Sequence, residues 1–278
     1  MDPLIITVAG VGAELTREKQ PGLPLTADEI AADAEACAGA GAAIYHLHVR
    51  AGDGTPTMAV ESFRAALEAI RARTEMIVQF TSGGSVSDTE EARIAPLELQ
   101  PDMASLTTGS VNFGDEVFHN PRPLVARFYI RMRSLGIVPE FEIFEPGMIG
   151  NAQRLLRDHG DDHHRHFDLV LGVPGAMPAW ADAVGFLAAH LPEEASWSAT
   201  GIGRSYVQVA ADAIGLGGHV RTGFEDVLYY EGRELATSNR QLVERVAGMA
   251  REAGRPLATV SQAREILGLE ARRGTLGS

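Results

Sequence analysis

From Ala43 to Arg50 the chain reads AIYHLHVR. Alternate side chains of a β-strand point to the same face, so Ile44, His46 and His48 share one face and the residues between them share the other. A helical pattern over residues 60–73 and a second apolar run over 76–80 follow. Strand, helix and strand in this order are typical of a βα unit with a buried parallel sheet.

The same alternation continues along the whole chain. It predicts strands at residues 4–9, 43–49, 76–80, 103–107, 138–144, 169–173, 196–200 and 219–222. Helices are predicted at 60–73, 121–135, 177–190, 208–213 and 238–253. A further helix begins after Thr26, which forms a capping-box pattern with Glu29, and ends at Gly39 and Gly41. Eight βα units indicate an α/β fold, a single (β/α)8 TIM barrel over residues 1–278 with a frayed tail at 270–278.

The composition limits the class of function. The 278 residues carry a formal net charge of −13, which argues against a nucleic-acid surface and favours a small-molecule partner. Cys37 is the single cysteine, so an intramolecular disulfide and a thiolate cluster for zinc are both excluded. The apolar run near the N-terminus is too short for a signal peptide or a membrane span, and we expect a cytoplasmic protein.

The paired histidines indicate a metal site. Neutral imidazole is a suitable donor for Zn²⁺, and catalytic zinc sites use three protein ligands and one open position. Two hydrogen-bonded histidines in a half-buried strand are the alternative. Barrel enzymes carry their chemistry at the C-terminal ends of the strands. That position adds the candidates Glu14, Thr81, Ser82, Gly83, Gly84, Ser105, Thr107, Glu140, Glu142, Arg221, Glu225 and Asp226.

The segment after the eighth predicted strand supplies a third ligand. Strand eight of a closed barrel lies beside strand one, and strand two lies next to that, so Glu225 can reach the same metal as His46 and His48. Arg221 and Asp226 are close enough in sequence to pair across the turn. A purely structural ion pair at a strand end is the alternative for these two residues.

A histidine-rich segment before the sixth predicted strand is assigned to the opposite face. His159, His163, His164 and His166 resemble a metal tract by composition. A helix-to-strand loop lies on the N-terminal face of a barrel, so we interpret this segment as a solvated loop.

A glycine-rich turn follows the seventh predicted strand. Loops after strands seven and eight of barrels often bind phosphate, and Gly201, Gly203 and Arg204 offer backbone N–H groups and a guanidinium there. These residues are candidates for binding a phosphate-bearing cofactor. Simple turn geometry explains the glycines equally well.

Several motifs occur in order along nearly the whole chain. They are TVAGVGAELT at 7–16, HLHVR at 46–50, TSGG at 81–84, MASL at 103–106, GSVNFG at 109–114, PEFE at 139–142, GVPG at 172–175, GHVR at 218–221 and ED at 225–226. This set resembles the β-keto acid cleavage enzymes, and within them the branch that cleaves 3-keto-5-aminohexanoate in lysine fermentation. The resemblance implies a zinc-dependent transferase, in which a β-keto acid and acetyl-CoA give acetoacetate and the CoA thioester of the shortened acid.

The resemblance also implies roles for residues. His46, His48 and Glu225 would hold Zn²⁺, and Arg221, oriented by Asp226, would take part in deprotonating acetyl-CoA. Since arginine stays charged, we expect Asp226 to accept the proton or to modulate Arg221, and Arg221 to stabilise the enolate. The residues implied to bind the keto acid are Ser82, Gly84 or Ser85, Thr107 and one of Glu140 and Glu142, with Glu14 at an amino group.

The acidic residues point to the substrate class. Glu14, Glu140 and Glu142 together would attract a cationic group, so we expect an amino- or ammonium-bearing β-keto acid such as 5-amino-3-oxohexanoate. A zinc-dependent barrel hydrolase of the amidohydrolase type and a non-catalytic ligand-binding barrel are the alternatives. Exposed Ala and Leu on helices favour a homo-oligomer, and the resemblance implies a tetramer.

Overall fold

The computed structural model describes residues 2–160 and 164–269, and it confirms the barrel. Eight parallel strands close into a ring in which each pairs with its neighbours in sequence, and the last pairs with the first through Ile6 and Val220. The strands are β1 (Ile6–Ala9), β2 (Ile44–Leu47), β3 (Ile77–Phe80), β4 (Met103–Thr107), β5 (Val138–Ile143), β6 (His166–Leu171), β7 (Ser196–Gly201) and β8 (His219–Thr222). The extension of one domain over 1–278 stays a prediction.

Helices surround the ring in the described part of the chain. They are α1 (Ala27–Ala40), α2 (Val60–Arg73), α3 (Glu90–Ile94), α4 (Arg122–Ser134), α5 (Pro146–His159), α6 (Ala183–Ala188), α7 (Tyr206–Leu216), α8 (Asn239–Glu252) and α9 (Val260–Ile266). The predicted capping box begins α1, because Thr26 and Glu29 each accept a hydrogen bond from the other's backbone N–H. Gly41 ends this helix in a left-handed conformation (φ 110°), whereas Gly39 lies within it.

The barrel interior changes from apolar to polar along its axis. At the N-terminal end, Ile5, Ile44, Ile77, Met103 and Val138 form an apolar cluster. Residues of α9 and the chain that follows it, Ala263, Leu267 and Leu269, join this cluster and close that end. The next inward positions along the strands are polar, with His46, Gln79, Ser105, Glu140, Asp168 and Arg221 all buried. The interior therefore directs polar groups toward the C-terminal end of the strands.

Three short antiparallel hairpins extend the loops at the C-terminal ends of the strands. The first follows β2 and pairs Val49–Arg50 with Pro56–Thr57. The second follows β4 and pairs Val111–Phe113 with Glu116–Phe118. The third follows β8 and pairs Tyr229–Glu231 with Glu234–Leu235.

The prediction for the histidine-rich segment is wrong at His166, which belongs to a strand and not to the loop. Strand β6 begins at His166, three residues before the predicted start, and His166 is fully buried inside the ring. His164 is half-buried, and its Nε2 lies 2.7 Å from Ser196 Oγ. His159 lies in the last turn of α5, and His163 lies outside the described residues. The inward position of His166 is tolerated because Glu140 lies opposite it, with 3.2 Å between Nε2 and Oε2.

Other boundaries also differ from the predictions. The fourteen-residue helix α5, with Pro146 in its first turn, was not among the predicted helices. The helix predicted at 177–190 is only Ala183–Ala188. Within the described ranges, none of the helices has the length and hydropathy needed to cross a bilayer.

Candidate metal centre and active site

A cavity of about 280 Å³ opens at the C-terminal mouth of the ring. Its polar wall comes from β2, β5 and β8 and from the loops after β1, β2, β3 and β8. Its apolar wall comes from the hairpin after β4 and the loops after β5, β6 and β7. The main lining residues are Glu14, His46, His48, Gly84, Phe113, Phe118, Glu142, Phe144, Val173, Ile202, Arg221, Glu225 and Asp226.

His46, His48 and Glu225 converge at the base of this cavity. Glu225 Oε1 lies 3.7 Å from His46 Nε2 and 3.5 Å from His48 Nε2. One donor atom from each residue lies within 4.8 Å of the others, and this is the one such cluster among residues 2–160 and 164–269. Two imidazoles and one carboxylate form a donor set suited to a divalent transition metal with an open coordination position.

Neighbouring groups prepare these donors. Gln79 Oε1 lies 2.6 Å from His46 Nδ1, so the hydrogen on Nδ1 is directed to the amide and Nε2 keeps its lone pair for a metal. Burial, reinforced by the charge of Arg221, lowers the pKa of His46 to about 4, which keeps the ring neutral. Glu225 Oε2 is buried and has no hydrogen-bond partner in the described structure. An unpaired buried carboxylate oxygen beside two imidazoles fits a metal ligand.

The backbone places Glu225 against strand β1. Gly223 adopts φ +144°, and the Glu225 N–H donates to the carbonyl oxygen of Ala9 over 3.1 Å. A Cβ at Gly223 would meet that same oxygen at 2.2 Å. Only glycine therefore permits the close approach that carries the carboxylate from β8 across β1 to the histidines on β2.

Arg221 links the candidate metal donor Glu225 to two other carboxylates, those of Asp226 and Glu142. Its Nε and one Nη each donate to Asp226 over 3.0 Å, and the same Nη donates to Glu225 Oε1 over 2.6 Å. Its other Nη lies 3.5 Å from Glu142 Oε1, and Thr107 Oγ1 donates to Glu142 Oε2 over 2.5 Å. A buried guanidinium with a bidentate carboxylate is held in one orientation.

The carboxylates around Arg221 differ in proton affinity. Burial raises the pKa of Glu142 to about 8 and that of Asp226 to about 7, although Arg221 opposes both shifts. Burial alone would lower the pKa of Arg221, but Asp226, Glu225 and Asp168 more than offset this and raise it well above its ordinary value. Arg221 therefore stays charged while neighbouring carboxyls can hold protons.

Comparison with known proteins agrees with this arrangement. The family model of the β-keto acid cleavage enzymes matches residues 3–269. The chain belongs to this family. It is 46% identical to the 3-keto-5-aminohexanoate cleavage enzyme of Fusobacterium nucleatum over 97% of this chain and 99% of that protein. It is 39% identical to the 3-oxoadipate:acetyl-CoA acetyltransferase of Cupriavidus necator, over 96% and 95% of the two chains.

A solved structure of ObcA has the same fold. The TM-score is 0.77 at 21% sequence identity, and the match covers 89% of this chain and 68% of ObcA.

The residues predicted to bind the keto acid occupy two different depths in this family member. Glu14 and Gly84 line the cavity, Glu14 being exposed at its rim. Ser82, Ser85 and Thr107 do not line it. Ser82 is buried behind the wall, Ser85 Oγ lies 2.9 Å from Ser87 Oγ, and Thr107 bonds Glu142. Their contact with a keto acid stays a prediction.

The structure separates the two glutamates of β5. Glu142 lines the cavity, whereas Glu140 lies deeper in the ring, is 1% exposed and faces His166. The acidic pocket expected from Glu14, Glu140 and Glu142 therefore contains only the first and the last. Inward side chains of one strand lie in successive layers, so residues two apart reach different depths.

The glycine-rich turn has fewer free backbone N–H groups for a phosphate than expected. The Ile202 N–H donates to Leu171 O over 2.9 Å, and the Gly203 N–H donates to Asp226 O over 2.7 Å. Gly201 is needed because a Cβ there would meet the Tyr206 backbone at 2.6 Å. The turn thus anchors Asp226, and the exposed Arg204 is the residue of this set left to bind a phosphate.

Several residues of the site are not apparent from sequence reasoning. Gln79 and the aromatic wall of Phe113, Phe118 and Phe144 are examples. Asp168 is another, since it is fully buried and accepts hydrogen bonds from Ser198 and Thr200. A polar residue at every second position of β5 to β8 is the signal that could have found the buried network.

Proposed function

We propose that this chain cleaves a β-keto acid with acetyl-CoA, to give acetoacetate and the CoA thioester of the shortened acid. The observation that carries the proposal is the convergence of two elements in one cavity. His46, His48 and Glu225 form a metal-ligand set, and Arg221 with Asp226 forms a charged pair that touches it. Membership of the family agrees with this reaction.

The residues divide the work as follows. A divalent cation held by His46, His48 and Glu225, which we propose to be Zn²⁺, would act as a Lewis acid toward the keto oxygen. Asp226 accepts a proton from the acetyl methyl group, because its carboxylate is buried beside the cavity and held in place by Arg221. Arg221 stabilises the negative charge that develops on the thioester oxygen, since it remains cationic throughout.

The charges of the cavity favour an amino-bearing keto acid. Glu14 at the rim would attract an ammonium group, and none of the described residues that line this cavity is a lysine. We therefore propose 5-amino-3-oxohexanoate or a related amino- or quaternary ammonium-bearing acid. The 46% identical relative is named for 3-keto-5-aminohexanoate, while the 39% identical relative is named for the dicarboxylic 3-oxoadipate.

For the co-substrate, we propose that Arg204 at the rim contacts a phosphate of acetyl-CoA. The guanidinium is exposed close to the turn that anchors Asp226, so a long phosphate-bearing molecule can reach both. A homo-oligomer, with four subunits, and a cytoplasmic location stay predictions.

Steady-state kinetics with a panel of keto acids test the proposal. Acetoacetate release is measured with 5-amino-3-oxohexanoate, 3-oxohexanoate and 3-oxoadipate, each with acetyl-CoA. We expect the highest kcat/KM for the amino-bearing keto acid, 5-amino-3-oxohexanoate. A higher value for the uncharged or the dicarboxylic acid contradicts the substrate class, and no acetoacetate from any of them contradicts the reaction.

The two alternative functions predict different outcomes. A hydrolase of the amidohydrolase type turns over without acetyl-CoA, whereas this proposal requires it. A ligand-binding barrel predicts no stoichiometric metal, and elemental analysis of the purified protein distinguishes it. The hydrolase pattern has its histidine pair after the first strand and a further histidine on the fifth, whereas here the pair begins on β2 and β5 carries Glu140 and Glu142.

A further inference from the structure

Arg93 lies behind the cavity wall and is 4% exposed. It belongs to the short helix α3, between the loop after β3 and the hairpin after β4. Its Nε donates to the carbonyl oxygen of Ser82 over 2.8 Å. Its two Nη atoms donate to the carbonyl oxygen of His119 over 3.0 Å and to Asn120 Oδ1 over 2.6 Å. One guanidinium thus joins two segments that are far apart in sequence.

Aromatic rings complete the surroundings of this guanidinium. Its Cζ lies 4.8 Å from the centroid of the Phe118 ring and 5.2 Å from that of Phe128. Both distances are within the range of cation–π attraction. Within residues 2–160 and 164–269, no carboxylate lies within ion-pair distance of Arg93, and its partners are neutral acceptors and rings. Burial accordingly lowers its pKa from the ordinary value.

Both of the joined segments form the cavity. Thr81, Gly83 and Gly84 line it from the β3 loop, and Phe118 lines it from the hairpin. The two walls meet at Gly83, where a Cβ would lie 3.2 Å from the Phe118 ring. The separation of these walls therefore depends on a contact that Arg93 holds from behind.

A buried cation that no carboxylate contacts is costly, and simple packing would be served by an apolar side chain. The fork of a guanidinium has a property that an apolar side chain lacks. It can bond three acceptors in fixed directions, two on one segment and one on the other. These three hydrogen bonds are explained if Arg93 holds the loop after β3 and the hairpin after β4 in a fixed relative position.

We infer that Arg93 is a positioning residue that locks the Thr81–Gly84 loop to the hairpin after β4 and so sets the width of the keto-acid side of the cavity. Only the identity of the ligand as a keto acid rests on the proposed function. The coupling of the two segments by Arg93 is independent of it. Arg93 touches neither the metal donors nor Arg221 and Asp226.

Hydrogen–deuterium exchange tests the coupling directly. In Arg93→Met, we expect exchange to become about tenfold faster or more in peptides covering both 81–84 and 111–120, with α8 unchanged. Arg93→Lys keeps the charge and part of the hydrogen bonding, so it should restore protection partly. Arg127→Met is the matched control. Arg127 of α4 pairs at the surface with Glu90 and Glu91 of α3, the helix that carries Arg93. Faster exchange in only one segment, or in neither, overturns the inference.

Kinetics separate positioning from general instability. We expect Arg93→Met to raise the KM for the keto acid about tenfold or more while deuterium exchange into the acetyl-CoA methyl group stays at the wild-type rate. If the KM for the keto acid rises and the methyl exchange rate falls by the same factor, Arg93 has a merely structural role and the inference is refuted. If wild-type protein yields no acetoacetate but both segments respond together, the proposed function fails while the coupling by Arg93 stands. Should Arg93→Met not fold, Arg93→Lys carries the same two measurements.

Discussion

At the scale of single residues, a neighbouring side chain fixes the orientation of a candidate metal donor. His46 is fully buried, and Gln79 Oε1 lies 2.6 Å from its Nδ1. This contact fixes both the ring orientation and the tautomer, so that Nε2 faces Glu225. Glutamine suits this role because it stays uncharged next to a site where the protein already places several carboxylates.

Replacing that glutamine should weaken metal binding. In Gln79→Leu, His46 Nδ1 loses its acceptor, and we expect the affinity for Zn²⁺ to fall about 10- to 100-fold. Competition with a chromophoric chelator measures the dissociation constant. Gln208→Leu, on an exposed face of α7, should leave the affinity at the wild-type value. An unchanged affinity in Gln79→Leu would show that the contact does not prepare the ligand.

A second prediction concerns the proton acceptor. Asp226→Asn keeps the size of the side chain but cannot accept a proton, so we expect deuterium exchange into the methyl group of acetyl-CoA to slow by about 100-fold or more. Proton NMR in D₂O follows that exchange without any keto acid. The metal content should remain at the wild-type level, as should the exchange rate of Asp182→Asn, a change at the surface. Wild-type exchange in Asp226→Asn would remove this residue from the proton transfer.

The candidate metal ligands were predictable because the order of the strands brings β2 and β8 close together. His46 and His48 follow from the two-residue period of β2, and Glu225 follows from the closure of β8 onto β1. Gln79 carries no comparable signal, since a glutamine on a strand has many uses. His166 was misassigned because a solvated histidine and a histidine paired with Glu140 inside a ring have the same local sequence.

At the scale of elements, the turn after β8 decides where the third ligand goes. Strand pairing brings β8 beside β1, but Glu225 must also cross β1 to reach β2. The chain does this by running closely over Ala9, where Gly223 has φ +144°. The sequence shows a glycine there without showing which backbone it approaches. The hairpin after β4 was missed for a similar reason, because three-residue strands lack a readable period.

A side chain at this turn should therefore displace Glu225. In Gly223→Ala, the Cβ would meet the Ala9 oxygen at 2.2 Å and φ would be strained. We expect the free energy of unfolding to fall by about 1–3 kcal/mol and metal affinity to fall with it. Gly248→Ala is the matched control, since nothing lies within 4 Å of its Cβ position in α8, and it should stabilise the protein by about 0.5–1 kcal/mol. Equal melting temperatures for the two variants would contradict the role of Gly223.

Across the whole molecule, stability and chemistry lie at opposite ends of the ring. The chain after α8 returns to the N-terminal end, where the N–H groups of Leu4 and Ala258 donate to Pro256 O and Leu4 O over 2.8 Å each. Helix α9 then covers the apolar layer below the buried polar network. The eight βα units predicted the ring. The closure of its N-terminal end by α9 could not be predicted, because α9 is short and its sequence does not indicate which surface its apolar residues contact.

This separation predicts a change that lowers stability and spares activity. Leu267 is fully buried beneath the ring, so Leu267→Ala should lower the free energy of unfolding by about 2–5 kcal/mol. Urea unfolding measures the loss, and Glu265→Ala, on the exposed side of α9, should remain within about 0.5 kcal/mol of wild type. Metal affinity and kcat/KM of the folded Leu267→Ala protein should stay within about twofold of wild type, because the base of a barrel serves stability and its C-terminal mouth serves chemistry. A large fall in kcat/KM at full folding would show that the closure by α9 and the site are coupled through the polar layer between them.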